Sequence, residues 1–151
     1  MKEVIIVRGT SGSGKTTWVN NKLKELRSKG TVCTACSADN YFIKEGKYQF
    51  DPNKLDDAHL SCYRNFLAAL QIGYQIIIVD NTNTQLWEMT PYTMLAKTYG
   101  YDIKVVRTTC AARTAAERNV HGVPAKSVES MYKRMQNLPK YWPKETIVVT
   151  E

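Results

Sequence analysis

The stretch EVIIVRGTSGSGKTTWV, residues 3–19, decides the fold. An aliphatic run ends at Arg8 and passes directly into Gly9, Thr10, Ser11, Gly12, Ser13, Gly14, Lys15 and Thr16, a full match to the spacing G-x-x-x-x-G-K-[ST]. Glycine at these positions lets backbone amides converge on phosphate oxygens, and the helix that follows presents its positive end to them. Lys15 reaches the β and γ phosphates, and Thr16 offers a hydroxyl to magnesium. The stretch therefore reads as strand, phosphate-binding loop from Gly9 through Thr17, and helix.

Working outward, near-continuous aliphatic runs bounded by turn residues predict five short strands at 3–8, 31–37, 75–80, 101–107 and 145–150. Unbroken apolarity, without alternation, is what a parallel sheet covered on both faces requires. Helices are expected at 16–28, ending at Gly30; at 52–73, capped by Asp51 and opened by Pro52; from Thr90 and Pro91 to Gly100; and at 111–120 and 124–137, parted at His121 and Gly122. Strand and helix alternate, so the predicted fold is α/β: a three-layer P-loop fold with a five-stranded parallel sheet flanked by helices and a short helical lid. Residues 1–151 are read as a single domain. The stretch 41–50 is an irregular insertion with a turn at Glu45 and Gly46.

Composition narrows the function. Hydrophobic residues make up 43% and charged residues 23%, an ordinary globular mix that excludes disordered and fibrous classes. No apolar run approaches the roughly 20 residues a membrane span needs, and the opening residues lack a signal-peptide core, so a cytoplasmic location with no membrane contact is expected. With 21 Lys and Arg against 14 Asp and Glu, the net charge of +7 favours a polyanionic partner, with nucleic acid first. No obligate protein partner is evident. The four cysteines are too few and too scattered for a disulfide scaffold; Cys33 and Cys36 form a C-x-x-C with no second pair, and read as small core residues.

In parallel α/β sheets ligands bind beyond the carboxyl ends of the strands, so acids ending strands two and three face the phosphate loop's cleft. Those are Asp39, placed to accept the proton of an attacking hydroxyl, and Asp80, placed to hold magnesium together with Thr16. Each also reads as a turn or cap residue. Positive groups that spread transition-state charge come from Arg107, Arg113 and Arg118, of which Arg118, beside the predicted lid hinge, is the catalytic choice along with Lys15 and Asp39. Lys44, Lys47, Tyr41, Phe42, Tyr48 and Phe50 around the insertion read either as a strip that tracks a phosphate backbone and stacks a base, or as a hairpin whose rings pack on the sheet. His59 has no evident partner. The NKLD at 53–56 matches a guanine-reading pattern but lies at a helix start with no D-x-x-G in the chain, and is a coincidence. Tyr141 and Trp142 are candidate walls for the donor base.

GTSGSGKTTW, SADNYF, FDPNKLDDAH, VDNTNTQLWEMTPY, ERNVHGVP and MYKRM together resemble the bacteriophage polynucleotide kinase-like family of P-loop kinases over nearly the whole chain. The resemblance implies transfer of the ATP γ phosphate to a hydroxyl on DNA or RNA, most simply a 5′-terminal hydroxyl, with ATP and magnesium as cofactors. It assigns phosphate and magnesium binding to Lys15 and Thr16, the general base to Asp39, support of acceptor or metal water to Asp80, and a lid arginine to Arg118. Where that family has a basic residue three positions after the acid/base aspartate, this chain has Phe42. The alternatives are a phage DNA-modifying kinase acting on a 5-hydroxymethyl-pyrimidine base, a kinase of free nucleosides or nucleotides, and an ATP-dependent binding module with little turnover. No DxDGT-type phosphatase signature is present, so the kinase reaction alone is expected.

Overall fold

The computed structural model describes residues 1–110, 112–118 and 122–150, without the side chains of Ala112, Arg113 and Ala116. Five strands, β1 (Glu3–Arg8), β2 (Cys33–Cys36), β5 (Ile76–Asp80), β6 (Asp102–Thr109) and β7 (Glu145–Val149), form one sheet in the order β2-β5-β1-β6-β7. Every pairing in it is parallel. The helices are α1 (Lys15–Ser28), α2 (Leu55–Ile72), α3 (Leu86–Thr98), α4 (Ala112–Arg118) and α5 (Ala125–Arg134). The predicted α/β sandwich is therefore the observed one.

Alternation along the strands explains why their sequences look uniformly apolar. Val4 and Ile6 of β1, with Ile77 and Val79 of β5, face Phe66, Ala69 and Leu70 of α2 and Met89, Tyr92 and Ala96 of α3. Ile5 and Val7, with Ile78 and Val106, face Val19 and Leu23 of α1. Both faces are thus buried, and the strands gain by the hydrophobic effect on each side. The same alternation separates the two cysteines of the C-x-x-C: Cys36 belongs to the first face and Cys33 to the second, and both thiols are free and buried. Burial pushes the Cys36 thiol up to about 12, which suits a core residue and not a metal ligand or redox nucleophile.

Several expected boundaries move. The helix expected to begin at Thr90 and Pro91 begins at Leu86, because the Leu86 amide is capped from far along the chain by the Gln136 side chain (3.0 Å). Pro91 then sits inside α3 and forfeits one i→i−4 bond. Strand β6 extends to Thr109, where β7 supplies a partner through Thr109↔Val149. Helix α5 stops at Arg134 short of Asn137, because the Gln136 amide is diverted to the Thr84 carbonyl (2.7 Å). Trp142 packs on the first core face, while Tyr141 is exposed.

The insertion is a 3-10 turn over 38–42 followed by a hairpin of β3 (Ile43–Lys44) and β4 (Lys47–Tyr48). Glu45 (φ 53°) and Gly46 (φ 76°) make the predicted turn, with positive φ at both central residues, the type I′ geometry that matches strand twist. Phe42 is only 2% exposed, and its ring meets Tyr41, Tyr48 and Phe50 at 5.0–6.1 Å. The packed-hairpin reading holds for Phe42, which presents no face to a base. Expectations placed on Ala111, on residues 119–121 and on the side chain of Arg113 fall outside the described residues. Among those described, no helix is long and apolar enough to cross a membrane.

Candidate active site

The phosphate loop joins β1, the central strand, to α1, so it stands at the carboxyl end of the sheet, where β5 and β6 flank it. Its shape comes from close packing. Gly9 lies so near Ser13 and Thr108 that a Cβ there would fall 2.5 Å from both hydroxyl oxygens, and Gly12 (φ +78°) would place one 1.8 Å from the Ala115 carbonyl oxygen of α4. Any larger residue would push the loop off β6 or off the lid helix.

Backbone accounting divides the nine loop residues. The Gly9 amide donates to the Thr82 carbonyl (3.0 Å) and the Ser13 amide to the Thr10 carbonyl (3.1 Å), so these two amides hold the loop's form. Thr10 and Ser13 are buried, the latter sharing a 2.8 Å hydrogen bond with Thr108 Oγ1. Ser11 Oγ makes only a long contact, 3.7 Å, to Met131 Sδ of α5. Gly14, Lys15, Thr16 and Thr17 head α1, whose first amides have no acceptor within the helix and point at the place a phosphate would take. Thr16 and Thr17 are exposed there.

Lys15 folds back over the loop and donates from Nζ to the Thr10 carbonyl at 3.2 Å. Burial holds its ammonium below the ordinary lysine range, opposed first by the negative charge of Asp80 and then by that of Asp39. The two carboxylates selected from the sequence therefore share an electrostatic environment with Lys15. Asp80 ends β5, in register with Val7 beside the loop. Asp39 is exposed within the 3-10 turn, whose start is capped by Ser37 Oγ accepting from the Asp39 amide at 3.2 Å. Tyr48 of the hairpin donates its hydroxyl to Asp39 Oδ1 at 3.4 Å. Burial and then the Asp39 charge push that phenol up to about 12, so it remains a donor at any physiological pH.

Arg118 ends α4 and reaches the loop indirectly. Its Nη2 donates to Thr150 Oγ1 (3.0 Å), and that hydroxyl donates to the Ser13 carbonyl (2.8 Å). Among the described residues its buried Nε has no hydrogen-bond partner. Arg107 forms a 3.4 Å ion pair with Glu145 and, with Thr10, Thr109 and Tyr132, lines a cavity of about 180 Å³ against the loop.

Arg8 is the residue that sequence reading passed over. It is fully buried, and its guanidinium donates to the carbonyls of Asn83 (2.9 Å), Thr84 (3.0 Å) and Gln136 (2.7 Å) and to Glu145 Oε2 (2.7 Å). It thereby fastens the loop after Asp80 to β7 and to the segment beyond α5. The same loop is locked by Asn83 Nδ2 donating to the Val7 carbonyl (2.8 Å) and by Asn81 Oδ1 accepting from the Ala38 amide (2.9 Å), next to Asp39. A charged residue closing an otherwise apolar strand was the only local signal for Arg8.

For magnesium, Thr16 and Asp80 are hard oxygen donors of the kind that ion takes alongside phosphates and water, so the residues fit it. Among the described residues no group of three or more His, Cys, Asp or Glu side chains could hold a metal.

Comparison with known proteins agrees with this architecture. Human NEDD4-binding protein 2 is 32% identical over 143 residues, a match that takes in 90% of this chain and 8% of that protein, so the chain spans under a tenth of that relative's length. Kti12 of Chaetomium thermophilum, solved with ADP-AlF3, superposes with a TM-score of 0.68 at 16% identity, covering 97% of this chain and 88% of that one. The Mycobacterium tuberculosis APS kinase CysC, solved with AMPPNP and APS, gives 0.66 at 14% identity, covering 98% and 88%. These two likenesses establish the P-loop kinase fold. With residues 4–137 matching the family described as AAA domain, AAA_33, the chain belongs to that family of P-loop proteins.

Proposed function

We propose that this chain is an ATP- and magnesium-dependent kinase that transfers the γ phosphate to a hydroxyl on nucleic acid, with a 5′-terminal hydroxyl as the first acceptor. The observation that carries the reading is the gathering of Lys15, Asp80 and Asp39 at one end of the sheet: a phosphate-facing cation, a strand-end carboxylate and an exposed carboxylate whose geometry Tyr48 holds. Asp39 accepts the proton of the acceptor hydroxyl as its oxygen bonds to the γ phosphorus. The bond from that phosphorus to the β–γ bridging oxygen breaks, and ADP leaves. Lys15 and the amides at the head of α1 hold the phosphoryl oxygens as charge shifts toward the leaving group. Magnesium, held by Thr16 and Asp80, would neutralise charge on the phosphates. The lid position of Arg118, one hydroxyl away from the loop, suits a residue that swings onto phosphate when nucleotide arrives. The net charge of +7 supports a polyanionic acceptor.

A second acceptor is favoured by Phe42. In the resembled kinases that position holds a basic residue for the acceptor phosphate, and here it is a buried ring. A hydroxyl carried on a base, such as a 5-hydroxymethyl-pyrimidine presented in a single strand or flipped from a duplex, needs no such residue.

The test is transfer from γ-labelled ATP into 5′-hydroxyl single strands of DNA and RNA, duplex, duplex bearing hydroxymethyluracil, and free nucleosides, with Asp39→Ala and Lys15→Ala as controls. Asp39-dependent label on a nucleic acid is the expected result, and its position separates the two acceptors. Label confined to free nucleosides, or none that depends on Asp39, overturns the reading.

A further inference from the structure

Between α2 and α3, on the acceptor side of the cleft, lies a second cavity of about 180 Å³, walled by rings of Tyr63, Trp87 and Tyr92 and floored by Asn81 and Asn83. Its size is decisive. A cavity of roughly 150 Å³ takes one benzene ring, whereas drug-sized ligands occupy about 300 Å³ and more. One six-membered ring fits; a fused purine with its sugar does not.

The walls are built in advance. Trp87 is 71% exposed, yet its Nε1 is fixed to Gln85 Oε1 at 2.9 Å, so an apolar face stands in solvent in one orientation. Tyr63 and Tyr92 meet edge to face at 5.6 Å, and the Tyr92 hydroxyl is turned away into the core toward Cys62 Sγ (3.3 Å). Asn81 is likewise committed inward, to Ala38 and Cys62. Two acceptors remain for a ligand. Asn83 uses Nδ2 on Val7, and no donor reaches its Oδ1 among the described residues; Glu88 takes Thr84 Oγ1 on Oε1 at 2.8 Å, which leaves Oε2. Acceptors facing a one-ring slot match the N3–H of thymine or uracil and the N4 amino group of cytosine.

Position ties the slot to the chemistry. Asn81 follows Asp80 directly and holds the amide of Ala38, the residue before Asp39. Cys62, directly behind Asn81, feels the charges of both Asp80 and Asp39.

We propose that this cavity seats one pyrimidine ring of the acceptor strand, stacked on Trp87 and read by Asn83 and Glu88. The proposal rests on the nucleic-acid kinase reading for its substrate, but its test does not depend on turnover. End-labelled oligothymidylate and oligoadenylate are titrated against the protein and its Trp87→Ala and Glu88→Gln variants by fluorescence anisotropy, at one salt concentration. Backbone contacts weigh equally on both strands, so the difference between them isolates the slot. The wild type is expected to bind oligothymidylate more tightly, and Trp87→Ala to weaken that binding about tenfold or more, as loss of a stacking platform does, while oligoadenylate binding and the ATP-induced rise in Tm persist. Glu88→Gln is expected to act in the same direction, less strongly. Equal loss on both strands, or no loss in Trp87→Ala, overturns the proposal. Absence of phosphate transfer to any nucleic acid would instead remove the kinase reading, with the binding comparison still deciding the slot.

Discussion

Replacing Arg8 with methionine keeps an unbranched apolar stem in the core and removes four charge-assisted hydrogen bonds, three to backbone carbonyls and one to Glu145. Nothing replaces water at those acceptors, because the guanidinium is wholly buried and Glu145 is mostly so. Breaking one partner of a buried ion pair costs about 3–5 kcal/mol, and the abandoned carbonyls add to that side of the range. At about 2–4 °C per kcal/mol for a chain of this size, Tm is expected to fall by roughly 6–20 °C. The loss is also local: the Asn83 and Thr84 carbonyls lie in the loop after Asp80, so acceptor KM is expected to rise even at temperatures where the variant stays folded. Arg8→Lys should fall between, since one ammonium cannot span the same four acceptors. Urea and thermal melts measure the first effect and steady-state kinetics the second. A change below about 1 kcal/mol for Arg8→Met would refute the claim that this guanidinium fastens the loop to β7.

Gly12→Ala places a methyl 1.8 Å from the Ala115 carbonyl at a φ of +78°; it is expected to part the loop from α4 and to abolish the ATP-induced rise in Tm, and an unchanged rise would contradict the packing argument. Tyr48→Phe removes the 3.4 Å bond to Asp39 and is expected to lower kcat several-fold, from about 1 kcal/mol of lost positioning, with ATP affinity unaltered; an equal loss in both would show a merely structural role. Lys15 supplies a pH signature. Its folded pKa lies below the unfolded value, so its burial penalty is present at neutral pH and fades as pH rises through the folded value toward 10.5. A bound triphosphate raises that pKa, so ATP binding near pH 9 is expected to take up protons, read by calorimetry in two buffers of different ionisation enthalpy; proton release, or uptake that survives Lys15→Met, would contradict it.

Local patterns carried the sheet and the loop. The apolar runs at β1 and β5 and the G-x-x-x-x-G-K-T spacing each have one physical explanation, and the structure uses both. Asp39 and Asp80 were readable for the same reason, since a carboxylate closing a parallel strand faces the ligand end of the sheet. What escaped was set by contacts distant in sequence. The start of α3 is fixed by Gln136, 50 residues away from Leu86, and Arg8 takes its meaning from Asn83, Gln136 and Glu145. Trp87 looked like a helix residue and His59 had no partner, yet both line one cavity once α2 and α3 pack. Phe42 shows the reverse error: a ring next to Lys44 read as a base platform, when its neighbours Tyr41 and Phe50 draw it into the core.

The most direct test of the account separates ATP binding from phosphate transfer in Asp39→Ala. Loss of the general base is expected to lower kcat on a nucleic-acid acceptor by about 10²–10⁴, with ATP affinity within about twofold of wild type, since Lys15 and the head of α1 are untouched. Transfer that survives in Asp39→Ala at more than about a tenth of the wild-type rate would contradict the assignment of the base and, with it, the proposed reaction.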